Sequence, residues 1–233
     1  MGSRENPERR IMKASSYQIR QCENPNCGLR YPIIDNHLLG ARCPACLGQT
    51  HSEYSGSTND IETNQSIASL LPFEAMLDNI RSSWNVGSMF RTAEGFGIRQ
   101  LHLCGITQTP KSANLGKTAL GTESSVHWTY HPNSIKAAES LVNEGYLLWA
   151  LEYNSEAESI YTLDIDRENI IDSKRIILIV GNEEIGVDPS LLKLCHKTIY
   201  IPMRGIKQSF NVAVAFGLAV GIISNTLVNK RGQ

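Results

Sequence analysis

One segment restricts the possible folds of this chain more than any other: Ile201 to Ile223, which reads IPMRGIKQSFNVAVAFGLAVGII. It opens as the end of a strand (Ile199 to Met203) and passes through a polar loop holding Arg204, Gly205 and Lys207. From Ser209, whose hydroxyl can accept from an orphan amide one turn in, it reads as a helix reaching Asn229. Within it Val212, Val214, Phe216, Leu218, Val220 and Ile222 alternate with Ala and Gly. A helix that is apolar all round is a buried one, and its small residues let another backbone come close. Spanning a bilayer takes about 20 apolar residues, and Asn211 and Asn225 bound a shorter run here. The segment is therefore strand, polar loop and packed helix. Its loop lies where α/β proteins hold ligands, between the carboxyl end of a strand and the start of a helix.

The rest of the chain from Phe73 onward repeats that grammar. Strand signals occur at 73–77, 101–104, 147–151, 175–180 and 198–201, and helical patterns at 86–96, 134–143, 189–196 and 209–229. The strands are unbroken apolar runs such as IILIV rather than alternating ones, as in a parallel sheet covered on both faces. An α/β doubly wound domain over residues 70–233 is the expectation.

Three stretches of this body carry polar residues at positions suited to chemistry. In the helix 86–96, with Asn85 as cap and Gly97 as stop, Val86, Met89, Phe90, Ala93 and Phe96 share one face. Arg91 falls opposite, beside Gly87, Ser88 and Gly95, either as a solvated cation or with room for a ligand to approach. The run ILIVGNEEIGVDPSLL ends a buried strand at Gly181 and sets Glu183 near its tip, as a site acid or as a cap of the next turn. The polar stretch 111–131, with Lys111 and Lys117, is either a substrate-facing loop or an ordinary crossover. No GxxxxGK[ST] or GxGxxG occurs, so a nucleotide-phosphate loop is absent.

Four of the six cysteines form two pairs near the N-terminus, Cys22-x4-Cys27 and Cys43-x2-Cys46, each followed closely by a glycine, Gly28 and Gly48. That spacing suits a tetrahedral Zn site of four thiolates. Two disulfides or an iron centre are the alternatives. The stretch has too few apolar residues for a core, so a metal would supply its folding energy. A zinc-ribbon module over 1–51, with a short hairpin at 33–39, and a Ser/Thr/Asn-rich linker over 52–69 are expected. Cys104 and Cys195 read as ordinary buried thiols. Net charge is −1, yet residues 1–50 carry seven Lys/Arg against four acids. That is a local excess compatible either with phosphate binding or with a solvated tail. The first twenty residues hold no apolar stretch of the kind a secretory signal needs, which points to the cytoplasm and away from a membrane.

The same residues carry a resemblance. NVGSMFRTAEGFG (from Asn85), ILIVGNEEIGVDPSLL (containing Glu183) and IPMRG followed by SFNVAVA are similar, in order, to the three motifs of the SpoU-type, TrmH-like RNA 2′-O-ribose methyltransferases of the SPOUT superfamily. The matches reach from about residue 73 to 228. The resemblance implies transfer of a methyl group from S-adenosylmethionine to a ribose 2′-hydroxyl of tRNA or rRNA. It implies catalytic roles for Asn85, Arg91, Glu183, Ser209 and Asn211, and contacts to S-adenosylmethionine from Gly181, Ile201 and Phe210. Phe210 stands where the family usually has Leu. The resemblance further implies a C-terminal trefoil knot and a homodimer whose site takes its Arg from the partner subunit. A catalytically silent RNA-binding adaptor with a zinc ribbon is the competing reading.

Overall fold

The computed structural model describes residues 16–34, 41–57, 73–112, 115–163, 175–207 and 209–231. The chain divides into two compact units, Met1–Ile67 and Ala68–Gln233.

In the first unit, β1 (Ser16–Cys22), β2 (Arg30–Ile34) and β3 (Thr50–Ser57) make an antiparallel sheet in the order β2-β1-β3. Strand β3 corrects the expected linker: residues 52–57 pair with β1 across a bulge at Ile19/Arg20, and only the remainder, 58–69, lies outside the described residues. No apolar alternation announces β3 (THSEYSGS), whose stability comes from ladder hydrogen bonds rather than from a buried face. The hairpin expected at 33–39 is not what Ile33 and Ile34 form, because β2 pairs back onto β1. Residues 35–40 lie outside the described residues.

The second unit is an all-parallel sheet of seven strands, in the order β6-β5-β4-β9-β7-β10-β8. The strands are β4 (Phe73–Asp78), β5 (Gln100–Cys104), β6 (His127–His131), β7 (Tyr146–Leu151), β8 (Glu158–Ser159), β9 (Arg175–Val180) and β10 (Lys197–Tyr200). Helices are α1 (Ser83–Gly95), α2 (Leu115–Ala119), α3 (Ser134–Asn143), α4 (Pro189–Leu192) and α5 (Val212–Arg231). Strand side chains alternate between two apolar layers. Ala75, Leu77, Leu101, Trp149, Ile176, Leu178 and Val180 meet Val86, Phe90 and Ala93 of α1 and Phe216, Val220 and Ile223 of α5. Met76, Leu148, Ile177 and Ile179 meet Ala138 and Leu141 of α3 and Leu191 of α4 on the other face. Every residue of β4 is buried, including Glu74, whose carboxylate accepts from the Tyr146 hydroxyl at 3.0 Å and pairs with His102 Nε2 at 3.0 Å. Strand β9 comes late in the chain yet sits between β4 and β7, so their carboxyl ends stand side by side. Among the described residues no helix is long and apolar enough to cross a membrane.

Several expectations change. The stretch 111–131 is not a single loop: it holds α2, a short 3-10 turn at Thr122–Ser124, and the edge strand β6. β6 is largely exposed, so it never needed an apolar pattern. Helix α1 is capped by Ser82, whose hydroxyl accepts from the Asn85 N–H at 3.4 Å, so Asn85 is a first-turn residue whose side chain does not cap the helix. Phe96 ends that helix and is 44% exposed, outside the buried face of Val86, Met89, Phe90 and Ala93. Ser209 is not the cap of α5. Asn211 is, its side-chain oxygen accepting from Ala213 N at 2.9 Å and Val214 N at 3.3 Å. Nor is α5 buried all round. Phe216, Ala219, Val220, Ile223 and Leu227 face the sheet, while Val214 and Leu218 are 51% and 39% exposed.

Gly87 does not open space beside Arg91. It is buried against α2, whose Thr118 hydroxyl donates to Ser83 O at 3.1 Å. A methyl group at Gly87 would stand 2.8 Å from the carbonyl carbon of Thr118, which is backbone and cannot swing aside. Gly87→Ala is therefore expected to lower the urea midpoint at unchanged m-value. Overpacking costs about 1–3 kcal/mol, more than the roughly 1 kcal/mol of helix propensity that Ala brings. A midpoint equal to or above that of the parent would show that α2 gives way freely.

Candidate functional site

Three strands of the parallel sheet run out into polar residues: β4 ends on Asp78 before Asn79, Gly181 to Glu184 follow β9, and Glu152 and Tyr153 follow β7. After β10 comes the segment from Ile201. Two of these ends are joined by side-chain to backbone hydrogen bonds. Asn182 Nδ2 donates to Asn79 O at 2.8 Å, and its Oδ1 accepts from Glu184 N at 2.9 Å. The turn 182–186 closes on itself through Asn182 N to Gly186 O (3.0 Å) and Gly186 N to Asn182 O (2.9 Å). Gly186 has φ +74°, and Gly181 faces the Gly186–Val187 backbone so closely that any Cβ would overlap it. Glu152 holds the far side of this turn, accepting from Val187 N at 3.0 Å.

The carboxylate of Glu183 sits at the start of α1. It accepts from Arg81 N at 2.9 Å, Ser82 N at 3.1 Å and Asn85 Nδ2 at 2.8 Å. These are donors with no partner inside the helix, so an acid here completes the N-terminus and meets the positive end of its dipole. Burial pushes the Glu183 carboxyl up, but the Arg81 N–H, the Asn85 amide and the Ser82 N–H outweigh it and hold it below the ordinary carboxylate value. Asn85 Oδ1 in turn accepts from Asn211 Nδ2 at 3.1 Å. Three segments far apart in sequence thus meet in one chain of hydrogen bonds, Glu183–Asn85–Asn211. Arg81 also pairs with Glu184 across the same junction, as an exposed surface ion pair.

Beside this chain opens a cleft of about 400 Å³, within the range of small-ligand sites. Gly181, Ile201, Ser209 and Phe210 line it together with Glu152, Glu183 and Asn211. Ile201 is nearly buried and Phe210 is 38% exposed. Seven of the eight body residues singled out from sequence therefore converge: Asn85, Glu183 and Asn211 through hydrogen bonds, and Gly181, Ile201, Ser209 and Phe210 in the cleft wall. Arg91 does not join them. It lies six residues beyond Asn85, about 240° further round the helix, exposed and without a polar partner among the described residues. Sequence reasoning passed over Asp78, Asn79 and Glu152. Asp78 is 1% exposed, and burial raises its pKa despite the Ser134 hydroxyl and Asp188 N–H that serve it. Their signal was a polar residue directly after an apolar strand, in FEAMLDN and LLWALE.

In the first unit the Sγ atoms of Cys22, Cys27, Cys43 and Cys46 all lie within 4.8 Å of one another. Cys22–Cys46 are 3.5 Å and Cys27–Cys43 3.7 Å apart, too far for disulfides, and all four are free thiols. Four sulfurs about 2.3 Å from a tetrahedral Zn would lie about 3.8 Å apart, so the donor set fits that ion. Backbone amides serve the sulfurs. The Cys46 N–H, opposed by burial but aided by the Ala45 N–H, brings Cys43 down to about 7. For Cys22 the Asn24 N–H pulls down, but burial and the three neighbouring thiols push it up to about 12. A divalent cation relieves that conflict by favouring all four thiolates. The first knuckle turns at Gly28 (φ +60°), as expected, but the second turns at Leu47 (φ 60°), with Gly48 the residue after it.

Comparisons with known proteins fit this geometry. The profile of the SpoU rRNA Methylase family matches residues 72–221. The tRNA (guanosine(18)-2′-O)-methyltransferase of Aquifex aeolicus (strain VF5) is 28% identical over 141 residues, covering 60% of this chain and 63% of that protein. The chain thus spans somewhat under two thirds of this relative's length. Among solved structures, a tRNA-modifying enzyme of A. aeolicus superposes with a TM-score of 0.60 at 24% identity, covering 69% of this chain and 77% of the other. An rRNA methyltransferase from Sinorhizobium meliloti, solved with AdoMet bound, gives a TM-score of 0.60 at 24% identity, covering 66% and 56%. At that identity the two structures speak to the fold.

The Glu183 carboxylate should make the helix junction acid-sensitive. Its folded pKa lies below the ordinary 4.5, so its contribution to stability is fully present above about that pH and is lost as pH falls through the lower folded value. Urea titrations of the parent and of Glu183→Gln between pH 7 and pH 3 are expected to differ at the neutral end and to converge at the acid end. A stability gap that stays constant with pH would contradict the role given to this carboxylate.

Proposed function

The chain belongs to the SpoU rRNA Methylase family, and on that premise we propose that it is an S-adenosylmethionine-dependent methyltransferase acting on a ribose 2′-hydroxyl of tRNA or rRNA. The observation that carries the proposal is the Glu183–Asn85–Asn211 chain at the mouth of the cleft. It draws the three family motifs into one site. The name of the A. aeolicus relative, a tRNA ribose methyltransferase, supports RNA as the substrate. S-adenosylmethionine supplies a methyl group already activated on a sulfonium. Gly181, Ile201 and Phe210, in the wall of the cleft, form its seat.

The protein's task is then alignment and proton management around a poor nucleophile. Asn211 is held by Asn85, and Asn85 by Glu183, so its amide is oriented before substrate arrives. Ser209, exposed in the cleft wall, offers a hydroxyl that orders the loop around the ribose. Arg91 is the cation for the RNA. A guanidinium with a pKa above about 12 is a better clamp for phosphate and orienter of oxygen than a base. Because Arg91 lies on a different face of α1 from Asn85, it serves the site of a second copy of the chain. The assembly is a homodimer, supported by the exposed apolar side chains Val214 and Leu218 on α5, which packs beside α1. The C-terminal body carries the trefoil knot of the family, and the enzyme works in the cytoplasm. The first unit is a zinc ribbon, its one Zn held by Cys22, Cys27, Cys43 and Cys46 as a structural ion.

Two experiments test these assignments. Transfer of labelled methyl to unmodified tRNA and rRNA is expected from the parent. Arg91→Ala should lose it by about two orders of magnitude or more, with S-adenosylmethionine binding kept and stability within about 0.5 kcal/mol. Mixing Arg91→Ala with Asn211→Ala should restore part of the activity through mixed dimers; no restoration would count against a shared site. A chain that binds RNA but transfers no methyl would be the silent adaptor instead. Separately, metal analysis of protein purified without chelator should find one Zn per chain, and its removal should unfold the first unit. Absence of bound metal would sink the ribbon assignment.

A further inference from the structure

Trp84 is an indole in the open. It is 73% exposed, whereas Trp149 is fully buried and Trp128 half-buried. It lies in the first turn of α1, directly before Asn85. Along the helix, Trp84, Ser88, Arg91 and Gly95 are all exposed and recur at the spacing of one face. Arg91 stands seven residues on, about 10 Å along the axis and about 20° round it. An aromatic plate and an unpaired guanidinium therefore share one stripe, with only Ser88 between them. The first turn has no acid of its own, and the Glu183 carboxylate beside it is taken up by the Arg81 and Ser82 N–H groups and the Asn85 amide. An aromatic platform beside a cation that follows the backbone is how unpaired nucleic acid is held.

A second copy of the chain is the other occupant to weigh. Helix α5 runs alongside α1, with Asn211 against Asn85, Gly217 near Thr92 and Gly221 near Phe96. Its exposed Val214 and Leu218 are thus level with the middle and the later turns of α1. Trp84 lies beyond them, at the end that carries Asn85 and Asn211. Along α5 the exposed apolar stripe begins one turn after that end, at Val214.

We propose that Trp84 is the stacking platform for an unpaired base of the RNA, adjoining the nucleotide whose phosphate Arg91 grips. The inference rests on the reading of this site as an RNA ribose methyltransferase, and it assigns a substrate-binding rather than a catalytic residue. The test uses the protein of residues 1–233 with unmodified bulk tRNA and with total rRNA fragments. Trp84→Ala is expected to raise the KM for the RNA that is methylated about tenfold, the scale of one lost base–aromatic stack. kcat, S-adenosylmethionine affinity and light-scattering mass should be unchanged, and Trp84→Phe should recover most of the loss. An unchanged KM in the Ala variant would overturn the proposal, and so would a changed mass, which would place the indole between copies. Should the parent methylate neither RNA, that failure belongs to the proposed activity. Filter binding of the same RNAs then decides the platform: about tenfold weaker binding by Trp84→Ala supports it, and equal binding overturns it.

Discussion

The carboxylate of Glu183 on the first turn of α1 is the contact on which the candidate site depends. Backbone donors at a helix start have no partner within the helix. Here two of them, the N–H groups of Arg81 and Ser82, are met by an acid that follows a strand about a hundred residues later in the chain. The same oxygen that accepts from Ser82 also receives Asn85 Nδ2, so completing the helix and orienting the site are one interaction. A low carboxylate pKa follows from this geometry, because every partner favours the ionised form.

That contact exists only because of strand order. Inserting β9 next to β4 puts Gly181 to Glu184 beside Asp78 to Arg81, and Asn182 stitches the two ends through Asn79 O. Such a place, at the carboxyl ends of parallel strands where neighbours in space are far apart in sequence, is where α/β sheets leave room for ligands. The turn from β9 also has to pass closely over its own strand end. Gly181 meets that demand by lacking a side chain, and Gly186 by its positive φ. Those two glycines serve the backbone first, and the open cleft wall is a consequence.

The first unit follows a different physical rule. Its strands bury little, since β3 is exposed over most of its length, and its described residues form no apolar core of the kind seen in the sheet of the second unit. Four thiols brought within 4.8 Å tie its two knuckles together at one point. Exposed Leu47 in the left-handed region shows the strength of that demand. The knuckle geometry is kept at a position where a β-carbon costs roughly 1–2 kcal/mol.

The two kinds of information divide cleanly along physical lines. Apolar runs located β4, β5, β7, β9 and β10 and the parallel, doubly covered sheet, because burial on both faces leaves a composition that any reader of the chain can see. Cysteine spacing likewise gathered the four clustered thiols, since a knuckle is a local object. The exposed strands β3 and β6 left no such trace, as hydrogen-bond ladders make few demands on side chains. Helix starts were misplaced at Asn85 and Ser209 because several residues in each stretch could cap. Which one does so is chosen by what else its neighbours must hold: Asn85 is released to bond Glu183, and Asn211 caps α5 while reaching Asn85. The apolar helix α5 was legible as apolar but not as half-covered. The wheel already set Arg91 opposite the buried face of α1, and only the tertiary structure shows that it does not line the cleft of its own chain. A helical wheel gives a side chain's direction, but only packing against the sheet fixes what that direction faces.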